Sequence, residues 1–84
     1  MECTVIIEGG KSFDEVNDIM LQKGIYTGQN VDQLLKTSKY IFESKKQAQK
    51  SLEILEFELL KKPGKTITTE NYLFRYDTKV YIHE

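Results

Sequence analysis

A small single-domain α/β protein, with an α+β arrangement as its alternative, is the fold class this chain predicts from three observations. A β-branched run, Cys3–Ile7, precedes a helical pattern; leucines recur at helical spacing along residues 45–62; and the last 13 residues, Tyr72–Glu84, alternate as two short strands do. At 84 residues the chain is near the lower size at which one core suffices without staples, and residues 1–84 read as one globular domain. There is no repeat, low-complexity tract or interdomain linker.

Taken in order, Cys3–Ile7 reads as a strand buried on both faces, broken by Gly9 and Gly10. Ser12 followed by Glu15 is a capping box, and Phe13, Val16, Ile19 and Met20 recur at helical spacing up to a stop at Gly24. Asn30 with Gln33 three residues on suggests a second, short helix carrying Val31, Leu34 and Leu35. Tyr40, Ile41 and Phe42 are a β-favouring trio, so residues 39–43 read as a strand. Ser44 and Gln47 form a fresh capping box for the main helix, residues 45–62, with Ala48, Leu52, Leu55 and Leu59 as its stripe. Ile54, Phe57 and Leu60 widen that stripe, which predicts cover on more than one side. Pro63 and Gly64 end the helix.

The segment from Thr66 to Asn71 reads as either a loop or a strand extension. Beyond it lies a hairpin turning at Asp77 and Thr78, with Tyr76 paired to Lys79. That register sets Leu73, Arg75, Val80 and Ile82 on one face, and Tyr72, Phe74, Tyr76, Lys79, Tyr81 and His83 on the other. The expected order is therefore β-α-α-β-α-β-β: a mixed sheet, parallel where helices separate the strands, with a C-terminal antiparallel hairpin at one edge. If Tyr40–Phe42 is helical instead, the order resembles a winged helix.

Composition narrows the function classes. Net charge is −1, hydrophobic residues make 39%, and charged residues 30%, which argues for a folded chain without membrane spans. The N-terminus shows no basic region or cleavage site of a signal peptide, and the single cysteine, Cys3, forms no internal disulfide, so the expected location is cytoplasmic. Lys36, Lys39, Lys45, Lys46 and Lys50 against one acid, Glu43, make the only basic patch.

Catalytic and metal chemistry find little to build on. Gly9-Gly10-Lys11-Ser12 sits between strand and helix, as a phosphate loop does, but Val5 stands where that motif needs its first glycine. His83 is the only histidine, and no second His or Cys joins it in a metal set. Asp14, Glu15 and Asp18 suit a helix start facing its dipole. No enzyme, cofactor or metal is expected.

The aromatic face is the strongest candidate site. Four of the nine aromatics, Tyr72, Phe74, Tyr76 and Tyr81, fall in the last 13 residues. They form an expected protein-binding surface for an inhibitor or regulator, since tyrosine supplies large contact area at low entropic cost. The alternative is a winged-helix-like nucleic-acid module, in which Lys36, Lys39, Lys45, Lys46 and Lys50 meet phosphates and Arg75 and the tyrosines meet bases. A homodimer through the hairpin edge suits either reading.

One stretch carries a resemblance. Residues 26–34, YTGQNVDQL, resemble the tyrosine-x-glycine-x-asparagine-aliphatic-aspartate-x-leucine segment of barstar-like ribonuclease inhibitors. In that family the segment belongs to a helix that plugs a ribonuclease active site. The resemblance implies an inhibitory role for Asp32, with Tyr26 and Gly28 matching motif positions; Lys36 stands where the family carries a second acid.

Overall fold

The computed structural model describes every residue, Met1–Glu84. Its elements are β1 (Cys3–Glu8), α1 (Phe13–Lys23), β2 (Gly28–Asp32), β3 (Thr37–Phe42), α2 (Lys45–Leu60), β4 (Thr66–Thr69), β5 (Tyr72–Arg75) and β6 (Thr78–His83). The strands make one six-stranded sheet in the order β2-β3-β1-β6-β5-β4, and every neighbouring pair is antiparallel. The expected mixed sheet is thus corrected. Neither helical connection joins neighbours: β1 and β2 run the same way but β3 lies between them, and α2 carries the chain from β3 to β4 at the far edge before β5 and β6 return it to β1. Elements β1, α1, β2, β3, α2 and β6 make a split β-α-β-β-α-β pattern, and β4–β5 widens it by two strands.

Both helices cover one face of the sheet. Buried Val16 and Met20 of α1 and Ala48, Leu52, Leu55 and Leu59 of α2 meet Val5 and Ile7 of β1, Tyr40 and Phe42 of β3, Leu73 and Val80 in a single core. In β1, buried residues alternate with half-buried ones, so this strand is covered on one face and not two. The stripe on α2 holds as expected, but Phe57 and Leu60 stand 63% and 66% exposed, because only the sheet and α1 cover this helix. Ser44 caps α2 as its capping box predicts, its hydroxyl accepting from the Gln47 N–H at 3.3 Å.

The expected short helix at Asn30 does not form: residues 28–32 are the edge strand β2, and a tight turn leads straight into β3. Asp32 Oδ1 accepts from the Leu35 N–H at 3.0 Å, Lys36 adopts a left-handed φ of 53°, and Leu34 and Leu35 face solvent. Val31 alone packs on the core, too little apolar surface to hold a helix. Tyr40–Phe42 lies in a strand, which removes the winged-helix order.

The C-terminal hairpin pairs Arg75 with Thr78, and Tyr76 and Asp77 make the turn, with Tyr76 at φ 55°. The expected register is off by two residues, which leaves the two faces of the strands unchanged. This hairpin is not at an edge, since β4 pairs with β5 and β1 with β6; the free edges are β2 and β4. A homodimer through the hairpin edge therefore has no strand to pair with.

The turn at Tyr76 and Asp77 also locks the start of α1. Asp77 Oδ1 accepts from the Lys11 N–H at 2.6 Å, and Thr78 Oγ1 accepts from the Ser12 N–H at 3.2 Å. Ser12 makes no side-chain cap, so the expected capping box does not form; tertiary hydrogen bonds to the Lys11 and Ser12 N–H groups anchor the residues just before α1 instead.

Candidate functional site

With both helices on one side, the opposite face of the sheet carries no second layer. Strand register lays out its side chains in rows. The first row reads Asp32, Thr37, Glu8, Lys79, Phe74 and Ile67 from β2 to β4; the second reads Asn30, Lys39, Ile6, Tyr81, Tyr72 and Thr69. A shorter third row holds Gly28, Ile41, Thr4 and His83. The aromatic cluster lies on β5 and β6, and Ile6 and Ile41 carry the apolar character onto β1 and β3.

Tyr72, Phe74 and Tyr81 are half-buried by their neighbours, while Ile41 and Ile67 stand 38% and 47% exposed. The Tyr81 hydroxyl donates to Glu8 Oε1 at 3.0 Å. Desolvation, then the hydrogen bond and charge of Glu8, push its phenol above the ordinary tyrosine range. Three of the four expected aromatic anchors therefore share the uncovered face. Tyr76 does not; it stands out from the β5–β6 turn with the buried Arg75 guanidinium 5.5 Å from its ring centre.

The residues of the nucleic-acid alternative are not brought together. Lys36 sits in the β2–β3 turn, 3.5 Å from Asp14, and Lys45 pairs with Glu84 at 3.1 Å. Lys46 and Lys50 line a shallow hollow along α2 with Gln49 and Glu53. Lys39 alone reaches the open face. Arg75, assigned a base-contacting role from sequence, is 1% exposed on the core side. Its Nε donates to Glu15 Oε1 at 2.7 Å, one terminal nitrogen to Thr66 Oγ1 at 2.9 Å, and the other to the Pro63 carbonyl at 2.5 Å. It ties α1 to β4 and β5, and its buried guanidinium is committed to protein partners. Asp32 stands at the first row's outer end, and one of its oxygens holds the β2–β3 turn.

The remaining chemistry-bearing groups serve the fold. In the Gly9–Ser12 loop the Lys11 N–H is taken by the Asp77 carboxylate. Asn17 is fully buried in α1 and accepts from the hydroxyls of Ser38 at 2.7 Å and Tyr40 at 2.5 Å. Burial drives the Tyr40 phenol far above its ordinary range. No group of three or more His, Cys, Asp or Glu side chains converges on a metal-sized site. Sequence reasoning missed Ile6, Ile41 and Ile67: Ile6 sits in a run of β-branched residues that hides its period of two, Ile41 in a trio read only as a strand, and Ile67 in a segment open to a loop reading. Comparison of the chain with protein-family models, curated proteins and solved structures finds no match.

Proposed function

We propose that this chain is a non-catalytic protein-binding module, an inhibitor or regulator of what it binds, and that it docks through the open sheet face. One observation carries this reading. An antiparallel sheet with one solvated face ordinarily turns polar side chains outward. Here Tyr72, Phe74, Tyr81, Ile6, Ile41 and Ile67 point to the uncovered side. Half-buried tyrosines and isoleucines in a contiguous patch are the composition of a protein interface core.

Charge favours protein over nucleic acid as the ligand. Lys39 and Lys79 on this face are offset by Glu8 and Asp32, and the other lysines point elsewhere. A phosphate backbone needs a net positive track, which this face does not supply. Buried, unpaired Cys3 fits a reducing compartment, in keeping with cytoplasmic action.

The test is affinity capture from native lysate with wild type and with Tyr72→Ala/Phe74→Ala. The double variant is expected to stay folded by circular dichroism and to bind the captured protein roughly 30-fold or more weakly, the loss typical of hot-spot aromatics. Ile67→Asp, at an exposed edge position, is expected to act in the same direction with little effect on folding. Unchanged affinity in both variants rules out the open face. Recovery of nucleic acid that is shed in moderate salt would instead favour the lysines.

A further inference from the structure

We infer that the protein docked on the open face is a second copy of this chain, packed face to face as a twofold dimer. This inference rests on the docking role of that face and names its occupant. Consider a twofold axis lying between two facing sheets, parallel to the strands and midway between β1 and β6. It sets β1 over β6 of the second copy, β3 over β5, and β2 over β4, because the strand order β2-β3-β1-β6-β5-β4 has three strands on either side of that axis.

Beside the axis the rows then match. Glu8 comes opposite Lys79 of the second copy and Lys79 opposite its Glu8, so one ion pair is made twice. In the next row Ile6 meets Tyr81 and Tyr81 meets Ile6. Lys39 falls over Tyr72, where an ammonium meets an aromatic face. Facing sheets pack about 30° from aligned, so the pairs beside the axis, Glu8 with Lys79 and Ile6 with Tyr81, are those that keep this register.

Charge selects this occupant. Among acids, lysines and arginines, the face carries two of each sign, Lys39 and Lys79 against Glu8 and Asp32, so neither a strongly acidic nor a strongly basic surface complements it. A copy of itself does, since each charge at the axis finds its opposite.

The experiment is light scattering and sedimentation equilibrium on wild type, Glu8→Lys, Lys79→Glu, and an equal mixture of the two variants. Wild type is expected to approach twice its 9.8 kDa chain mass as concentration rises. Each single variant sets like charges together at both axial contacts and is expected to dimerise at least about 30-fold more weakly. The mixture is expected to recover the dimer mass. One chain then brings only lysines to the axis and the other only glutamates, so both axial contacts pair opposite charges. Wild type that stays at 9.8 kDa up to ~1 mM overturns the inference. So does a mixture no heavier than its components, provided both variants give the folded circular dichroism spectrum. If wild type is monomeric yet Tyr72→Ala/Phe74→Ala still loses its captured protein, only the self-pairing falls. If neither effect is seen, the docking role of the face falls with it.

Discussion

At the scale of single residues, the contacts that lock this fold join positions far apart in sequence. Gly10 has a φ of 84°, and a Cβ there would overlap Asp77 Oδ1 and lie 2.6 Å from the Asp77 backbone carbon. Gly10→Ala is therefore expected to cost at least ~2 kcal/mol, measured by chemical denaturation, through both strain and displacement of the turn that anchors the start of α1. A loss under ~0.5 kcal/mol would show that this turn moves freely. Glu15→Ala strands the buried Arg75 guanidinium and is expected to cost about 3 kcal/mol. Arg75→Lys is not expected to restore stability, because one ammonium cannot span a carboxylate, a hydroxyl and a carbonyl on different elements. Tyr40 and Tyr81 are expected to contribute to the loss of stability at alkaline pH. Both phenols are raised above the ordinary value, chiefly by burial, so the folded state favours their protonated form. Their contribution is full below the unfolded tyrosine value of about 10 and is lost as pH rises through the higher folded values. Tyr40→Phe is expected to flatten the fall in unfolding free energy above about pH 10; an unchanged slope would assign that fall to other groups.

At the scale of elements, local sequence spoke most clearly where one periodicity went unopposed. The α2 stripe of Ala48, Leu52, Leu55 and Leu59 and its Ser44 cap were legible because both the spacing and the cap are local. Ser44→Ala is expected to lower stability by about 1 kcal/mol in denaturant titration, the ordinary worth of such a cap. The β2 segment shows the opposite case. Asn30 and Gln33 offer helix-start chemistry, but the flanking turn at Asp32–Lys36 and pairing with β3 set the backbone as a strand. Propensity over so short a segment is too weak a force to resist a ladder of hydrogen bonds supplied by a neighbour. The hairpin faces were legible despite the register error, because a two-residue slip leaves alternation intact.

At the scale of the whole molecule, the sheet is a one-sided layer. The uneven charge of the sequence, with its lysines between residues 36 and 50, disperses once folded. Those residues pass through a turn, a strand and a helix that point in different directions. The aromatic surplus does the reverse: Tyr72, Phe74 and Tyr81 of the hairpin converge on one surface with Ile6, Ile41 and Ile67, which come from β1, β3 and β4. Salt dependence separates these two distributions. Binding through the open face, with two ion pairs at most, is expected to weaken far less between about 50 and 200 mM salt than a contact to six phosphates, which would lose about 10³ in affinity over that range. Measuring capture at both concentrations decides between them.

The sequence by itself determined the alternation of β5 and β6, the stripe and cap of α2, and the absence of a helix able to cross a membrane. These are properties of neighbours along the chain, read from periods of two and 3.6. Only the tertiary structure decided which face stays uncovered, that Arg75 is buried against Glu15, and that Asp77 holds the Lys11 N–H just ahead of α1. The uncovered face follows from both helices packing on the same side of the sheet. The other two contacts join residues 60 and 66 positions apart, brought together by a strand order that no local pattern encodes.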